Sequence, residues 1–216
     1  MKINKKIVNP MIFIVMYMVY FFCITKYLYN NNLLIKLNSI TPSNVSIKLL
    51  DDFLTSLFIV IIIISVTLIR KQSLSHIGIT KNNSMLVFAL LSIYFGIFFI
   101  KGDFSLIGIY KCFYYLIVVS FSEELIFRGY LFTSLDRELP TYLSVIISGM
   151  MWGAMHAFIP IIINNYSVIG LLNAICSQLG GGILAGGLFI LIYKKSKSLI
   201  IPIMIHAILD FVSVLF

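Results

Sequence analysis

Seven apolar stretches of span length dominate the sequence: residues 8–28, 50–69, 84–100, 106–134, 141–159, 168–193 and 198–216. A helix needs ~20 mostly apolar residues to cross the ~30 Å hydrocarbon core of a bilayer. Lipid offers no partner to a backbone N–H or C=O, so such stretches must satisfy their own hydrogen bonds as helices. The expected class is therefore all-α, a polytopic membrane protein of about seven transmembrane helices. Composition points the same way. The chain is 60% hydrophobic and 11% charged, against ~45–50% and ~25% for a soluble domain. The third stretch is short, and the fourth and sixth are long enough to tilt, kink or break. No internal repeat, coiled coil or separate soluble domain is evident. Three spans in residues 1–105 are expected to precede a four-span core in 106–216.

The net charge of +8 does not mark a nucleic-acid partner, because the basic residues lie between the apolar stretches and set topology instead. A cytoplasmic N-terminus puts Lys2, Lys5, Lys6, Arg70, Lys71, Lys81, Arg137, Lys194, Lys195 and Lys197 inside and Lys26, Lys36, Lys48, Lys101 and Lys111 outside. Ten against five favours that orientation, with an external C-terminus. The apolar stretch behind MKINKK is of span length and lacks a small-residue cleavage site, so it reads as a span of a cell-membrane protein rather than a cleavable signal. Abundant Ile, Asn and Lys with a single Trp fit an AT-rich bacterial genome. Cys23, Cys112 and Cys176 are far apart in apolar segments, without CxxC spacing, and argue against a disulfide framework or a thiolate metal site.

Six ionisable residues interrupt the spans. SEELIFRGYLF (122–132) carries Glu123, Glu124 and Arg128; MMWGAMHAF carries His156; IHAILD carries His206 and Asp210. Each charge near a helix centre costs at least ~2.5–3.5 kcal/mol on insertion scales, so these residues must face one another or a wet cavity. Glu124 and Arg128 are i, i+4 and share a helix face, whereas Glu123 is turned ~100° away. One acid is thus neutralised locally and the other is left for something else. His206 and Asp210 are also i, i+4. A Glu–Arg pair or a lone membrane histidine serves equally well as a packing lock. One free acid with two imidazoles, however, matches the needs of water activation, a base and groups to steady an oxyanion. The same residue types also ligate zinc, with Glu123, His156 and His206 the ligands if a metal is used; HExxH is absent.

The order EExxxR (Glu123, Glu124, Arg128), aromatic-xxx-His (Trp152, His156) and His-xxx-Asp (His206, Asp210) resembles the CPBP intramembrane proteases, also called the CAAX prenyl endopeptidase or Abi family. The resemblance covers roughly residues 117–210. It implies a helical core around a polar cavity in which Glu123 and His156 activate water, while His206 and Asp210 support the oxyanion. Glu124 and Arg128 would hold Glu123 in place. It leaves open whether zinc takes part. Two positions depart from the family pattern. Trp152 stands where Phe is common, with little consequence expected, and Asp210 stands where Asn is common. An ionised Asp only accepts hydrogen bonds, so Asp210 is expected to orient and charge His206.

The activity implied is hydrolysis of a peptide bond in a membrane-associated peptide or protein, in peptide or bacteriocin processing, self-immunity or signalling. A non-catalytic scaffold or immunity protein, and a proton-coupled transporter, are the rival readings. At 1.5 Å per residue, Glu123, His156 and His206 lie about 16, 22 and 12 Å from their cytoplasmic helix ends. Those depths suit one shared cavity opening to the cytoplasm. Gly182 and Gly186 have the small-xxx-small spacing of close helix packing. His76, in the basic loop 70–83, reads as a solvated loop residue.

Overall fold

The computed structural model describes residues 4–81 and 84–213. Among these there are seven main helices: α1 (Lys5–Asn30), α2 (Val45–Ile69), α3 (Ser84–Lys101), α4 (Leu106–Asp136), α5 (Thr141–Asn164), α6 (Val168–Ser196) and α7 (Ile200–Ser213). The first six are long and apolar enough to cross a membrane. At 14 residues, α7 reaches only about 21 Å at 1.5 Å per residue, short of a full span. The last expected stretch thus begins where it should, but residues 214–216 lie outside the described part. The protein is an all-α, multi-pass membrane protein.

Local chemistry sets the helix ends. Side-chain oxygens of Asn4, Ser105 and Ser167 accept from the backbone N–H groups of Lys6, Gly108 and Gly170, capping α1, α4 and α6. Within α5 the chain breaks at Ala157, between Thr141–His156 and Phe158–Asn164. Pro160 explains the place: it has no N–H to give the carbonyl of His156, four residues back. His156 therefore ends a helical segment, where a side chain is freer of its neighbours.

The long α4 is not a regular α-helix. It winds in the wider π form over Tyr114–Phe121 and Glu124–Phe132. Hydroxyls follow that winding: Ser120, Ser122 and Thr133 each donate to the carbonyl five residues back, at 2.7, 3.1 and 2.8 Å. Runs of π winding are rare outside single-turn bulges, which gather at functional sites. Here the two runs flank Glu123.

Between bilayer-solvated helices apolar burial supplies no net drive, so close packing and polar contacts decide the arrangement. The most intimate pair is α5 with α6. Gly149 and Gly153 on α5 face Gly182 and Gly186 on α6. A Cβ on Gly153 would sit 2.5 Å from the Gln178 carbonyl oxygen, and one on Gly182 would sit 2.6 Å from Gly153 Cα. Gly182 and Gly186 therefore pack as their spacing indicates, but the matching Gly149–Gly153 pair was not anticipated. Around this pair, Ile14, Tyr17 and Phe21 of α1 and Ile59, Val60 and Ile63 of α2 join Leu125, Ile126 and Phe127 of α4 in one core. A smaller cluster, Tyr94, Cys112, Tyr115, Met204, Ala207 and Phe211, ties α3 to α4 and α7.

Candidate active site

Glu124 and Arg128 meet as expected, with 3.3 Å between Arg128 Nη1 and Glu124 Oε1, both essentially without solvent exposure (1% and 0%). The angles do not make a hydrogen bond, and all three guanidinium nitrogens and Glu124 Oε2 lack hydrogen-bond partners among the described residues. Aromatic faces hold the cation instead: the guanidinium lies 4.3 Å from the Trp152 ring centroid and 5.4 Å from that of Phe189. Such contacts attract a desolvated cation by up to ~2 kcal/mol or more. The bare Cα of Gly186 makes room, since a Cβ there would lie 3.4 Å from Arg128 Nη2.

The second contact of Glu124 was not foreseen. Its Oε1 receives His206 Nδ1 at 3.0 Å, across from α7. The expected His206–Asp210 approach is also present, Nε2 to Oδ2 at 3.4 Å. Each His206 nitrogen thus faces a carboxylate, and a protonated His206 serves both. Two cations, Arg128 and His206, then balance two anions, Glu124 and Asp210. The His206 ring stacks on Phe189 with centroids 4.8 Å apart and meets Trp152 edge-on at 6.2 Å.

Glu123 is left outside that balance, as its turn from Glu124 implied. Its Oε2 accepts from Trp152 Nε1 at 2.6 Å. The expectation that tryptophan in place of phenylalanine matters little is therefore corrected, because phenylalanine has no N–H to give. Trp152 also meets His156: His156 Nδ1 donates to the Trp152 carbonyl at 2.9 Å, and the two rings are edge-to-face at 4.7 Å. With Nδ1 donating, Nε2 is the basic nitrogen of neutral His156.

Glu123, Trp152 and His156 line one cavity of about 200 Å³. Its other walls include Thr25 near the end of α1, Lys48, Asp51 and Asp52 at the start of α2, and Leu34 of the connection 31–44 between them. The cavity therefore lies toward the end of the bundle opposite the N-terminus, not toward the N-terminal end expected from counting residues along each helix. Counts of depth along each helix do not tell at which end the helices part. His206 and Asp210 do not line this cavity; the His206 ring lies against the Trp152 and Phe189 rings.

A metal does not fit this arrangement. No group of three or more His, Cys, Asp and Glu among the described residues is placed to hold an ion. Glu123, His156 and His206 do not form a ligand set, because both His206 nitrogens face carboxylates while a ligating imidazole needs one lone pair free.

The cavity also brings in residues that the sequence reading passed over. Lys48 Nζ contacts Asp51 Oδ2 at 3.0 Å and Asp52 Oδ1 at 2.5 Å. Tyr110 OH donates to Asp52 Oδ2, and the Lys48 ammonium lies 5.1 Å from the Tyr114 ring centroid. Lys48 is therefore a buried partner and not a loop charge. The i, i+3 and i+4 spacing was the available signal. His76 stays outside the site but is not simply solvated: Arg137 donates to its ring and, at 2.8 Å, to its carbonyl. Burial, then Arg137 and Arg70, hold its imidazole below the ordinary histidine pKa.

A family model described as "Type II CAAX prenyl endopeptidase Rce1-like" matches residues 105–212. No curated protein and no solved structure matches the chain. The matched half holds all of α4 to α6 and most of α7, and with them every one of the six membrane charges read from the sequence. The chain belongs to the Rce1-like family of type II CAAX prenyl endopeptidases and is, by that membership, a membrane protease.

Proposed function

We propose that the chain is an intramembrane endopeptidase in which Glu123 and His156 activate a water to cleave a peptide bond of a membrane-associated peptide or protein. The observation that carries this reading is their common cavity and their shared partner: the Trp152 indole N–H holds the Glu123 carboxylate, and its carbonyl fixes the His156 tautomer. Two proton acceptors, the carboxylate and His156 Nε2, then serve one pocket. Water gives a proton to Glu123 as its oxygen attacks the carbonyl carbon. The protonated Glu123 returns that proton to the leaving amine as the C–N bond breaks, leaving an acid and an amine. His206 and Asp210, expected to support the oxyanion, do not line the cavity, and both His206 nitrogens already face carboxylates. In this proposal they act instead as positioning residues, with the His206 ring set edge-on against the Trp152 ring that holds Glu123.

In this proposal residues 106–216 carry the chemistry, and 1–105 supply a wall of the cavity. The N-terminus is cytoplasmic and the C-terminus external, so substrate enters from the external end. Reporter fusions at Lys6 and after Phe216 should fall in opposite compartments. The substrates are small membrane-associated peptides of the kind handled in bacteriocin processing, self-immunity or signalling. Purified protein should cleave such a peptide in detergent, and Glu123→Gln should abolish turnover at unchanged abundance. Trapping a covalent acyl-enzyme during turnover would refute the activated-water mechanism.

A further inference from the structure

The cavity that holds Glu123 and His156 has a second polar end, built by residues outside the matched half of the chain. Lys48, Asp51 and Asp52 on α2 are all buried, and all line it. Lys48 spends two of its three N–H donors on the two carboxylates. Tyr110 takes one more acceptor site on Asp52. Two carboxylates offer about eight lone-pair sites, so acceptor capacity remains. Counted by charge, the lining has one cation, Lys48, against three anions, Asp51, Asp52 and Glu123. This acidic pocket sits in a chain whose net charge is +8. A second observation points to a missing partner. Thr25, 0% exposed, lines the same cavity, and its Oγ1 has no hydrogen-bond partner among the described residues. A helical threonine normally returns its hydroxyl to its own backbone, as Thr55 and Thr67 do here at 2.8 and 2.7 Å.

We propose that this end of the cavity is a recognition subsite for a cationic ammonium group of the substrate, from a lysine side chain or a peptide amino terminus. Asp51 and Asp52 supply the counter-charge and the Thr25 hydroxyl accepts one hydrogen bond. Lys48 holds the two carboxylates apart and limits the excess to one charge, so that the subsite is stable when empty. The inference rests on the proteolytic reading of the site and deepens it by naming what the substrate carries. It also orients the substrate, with the ammonium in the α2 end and the scissile bond toward Glu123.

The test is binding to the full-length Glu123→Gln protein in detergent, where turnover does not interfere. Three fluorescent apolar peptides of one sequence are compared: N-acetylated with one lysine, free amino terminus with norleucine in place of lysine, and N-acetylated with norleucine. At least one cationic peptide should bind about tenfold more tightly than the neutral one, as for a hydrogen-bonded charge, and which of the two identifies the source of the ammonium. Adding Asp51→Asn should abolish that preference. Because Asp51→Asn disturbs a buried ion pair, Thr25→Val provides a second arm. It removes an unpartnered hydroxyl, so it should leave thermal stability unchanged or raised while weakening the cationic peptide about fivefold. Equal affinities for all three peptides, or a preference that survives both substitutions, would overturn the subsite. Cleavage by the unsubstituted protein is scored separately: turnover without ammonium preference defeats only the subsite, and ammonium preference without turnover defeats only the protease reading.

Discussion

Replacing Glu124 by glutamine should destabilise the fold far more than the same change at Glu123, and the cost follows from the contacts. At an effective dielectric of about 20, a 3.3 Å separation corresponds to about 5 kcal/mol of attraction between Glu124 and Arg128. The Trp152 and Phe189 faces hold the guanidinium in both proteins and so do not change this difference. A loss of about 3–5 kcal/mol is expected, the usual cost of breaking a buried pair. Arg128→Met should cost a similar amount, since it leaves Glu124 with His206 alone. The double variant, with no charge stranded, should recover at least half of the summed loss, because apolar replacement of a whole buried pair is often neutral. Reversible unfolding in mixed micelles would give all four stabilities. Additive single losses would refute the argument that Glu124 and Arg128 stabilise each other, as would equal abundance of the Glu123→Gln and Glu124→Gln proteins.

Three further outcomes are expected. Trp152→Phe keeps the ring beside Arg128 but removes the N–H held by Glu123. It should lower kcat by about 10- to 100-fold, the worth of a hydrogen bond to a charged group, with little change in abundance. Gly182→Ala should prevent α5 and α6 from closing and greatly reduce folded protein on size exclusion, because its Cβ would lie 2.6 Å from Gly153 Cα. Gly180→Ala on the same helix meets nothing within 4 Å and should be neutral or stabilising by up to ~1 kcal/mol. For His76, a folded-state pKa below the unfolded ~6.5 means that the unfolded chain binds more protons as pH falls. Stability should thus be full above about pH 7 and fall below about 6.5, and thermal melts of His76→Gln should lack that component of the decline.

The helical class and the six membrane charges were legible because both rest on counting, apolar length in one case and cost per buried charge in the other. The Glu124–Arg128 and His206–Asp210 approaches were legible because i, i+4 spacing is local. The Glu124–His206 contact was not, since it joins residues 82 apart on helices whose relative rotation no local period records. Trp152 was undervalued for a different reason: as an aromatic it is interchangeable with phenylalanine in packing, and only the position of Glu123 reveals the use of its N–H. The Lys48, Asp51 and Asp52 group had the same local signature as Glu124 and Arg128. It was passed over because it straddles the edge of an apolar stretch, where charges are ordinarily solvated.

The wide winding of α4 bears on how this chain tolerates changes of length. Its 31 residues would extend about 46 Å as a regular α-helix, well beyond a ~30 Å hydrocarbon core. The π runs on either side of Glu123 absorb part of that surplus by making the helix broader and shorter. A single-residue deletion within 114–121 can be accommodated by tightening one wide turn to α, leaving both helix ends in register with the bilayer surfaces. The same deletion in α6 has no slack to draw on and would slide Gly182 past Gly153. Length variation in this protein should therefore be permitted in the helix that carries Glu123 and forbidden in the glycine-faced one beside it.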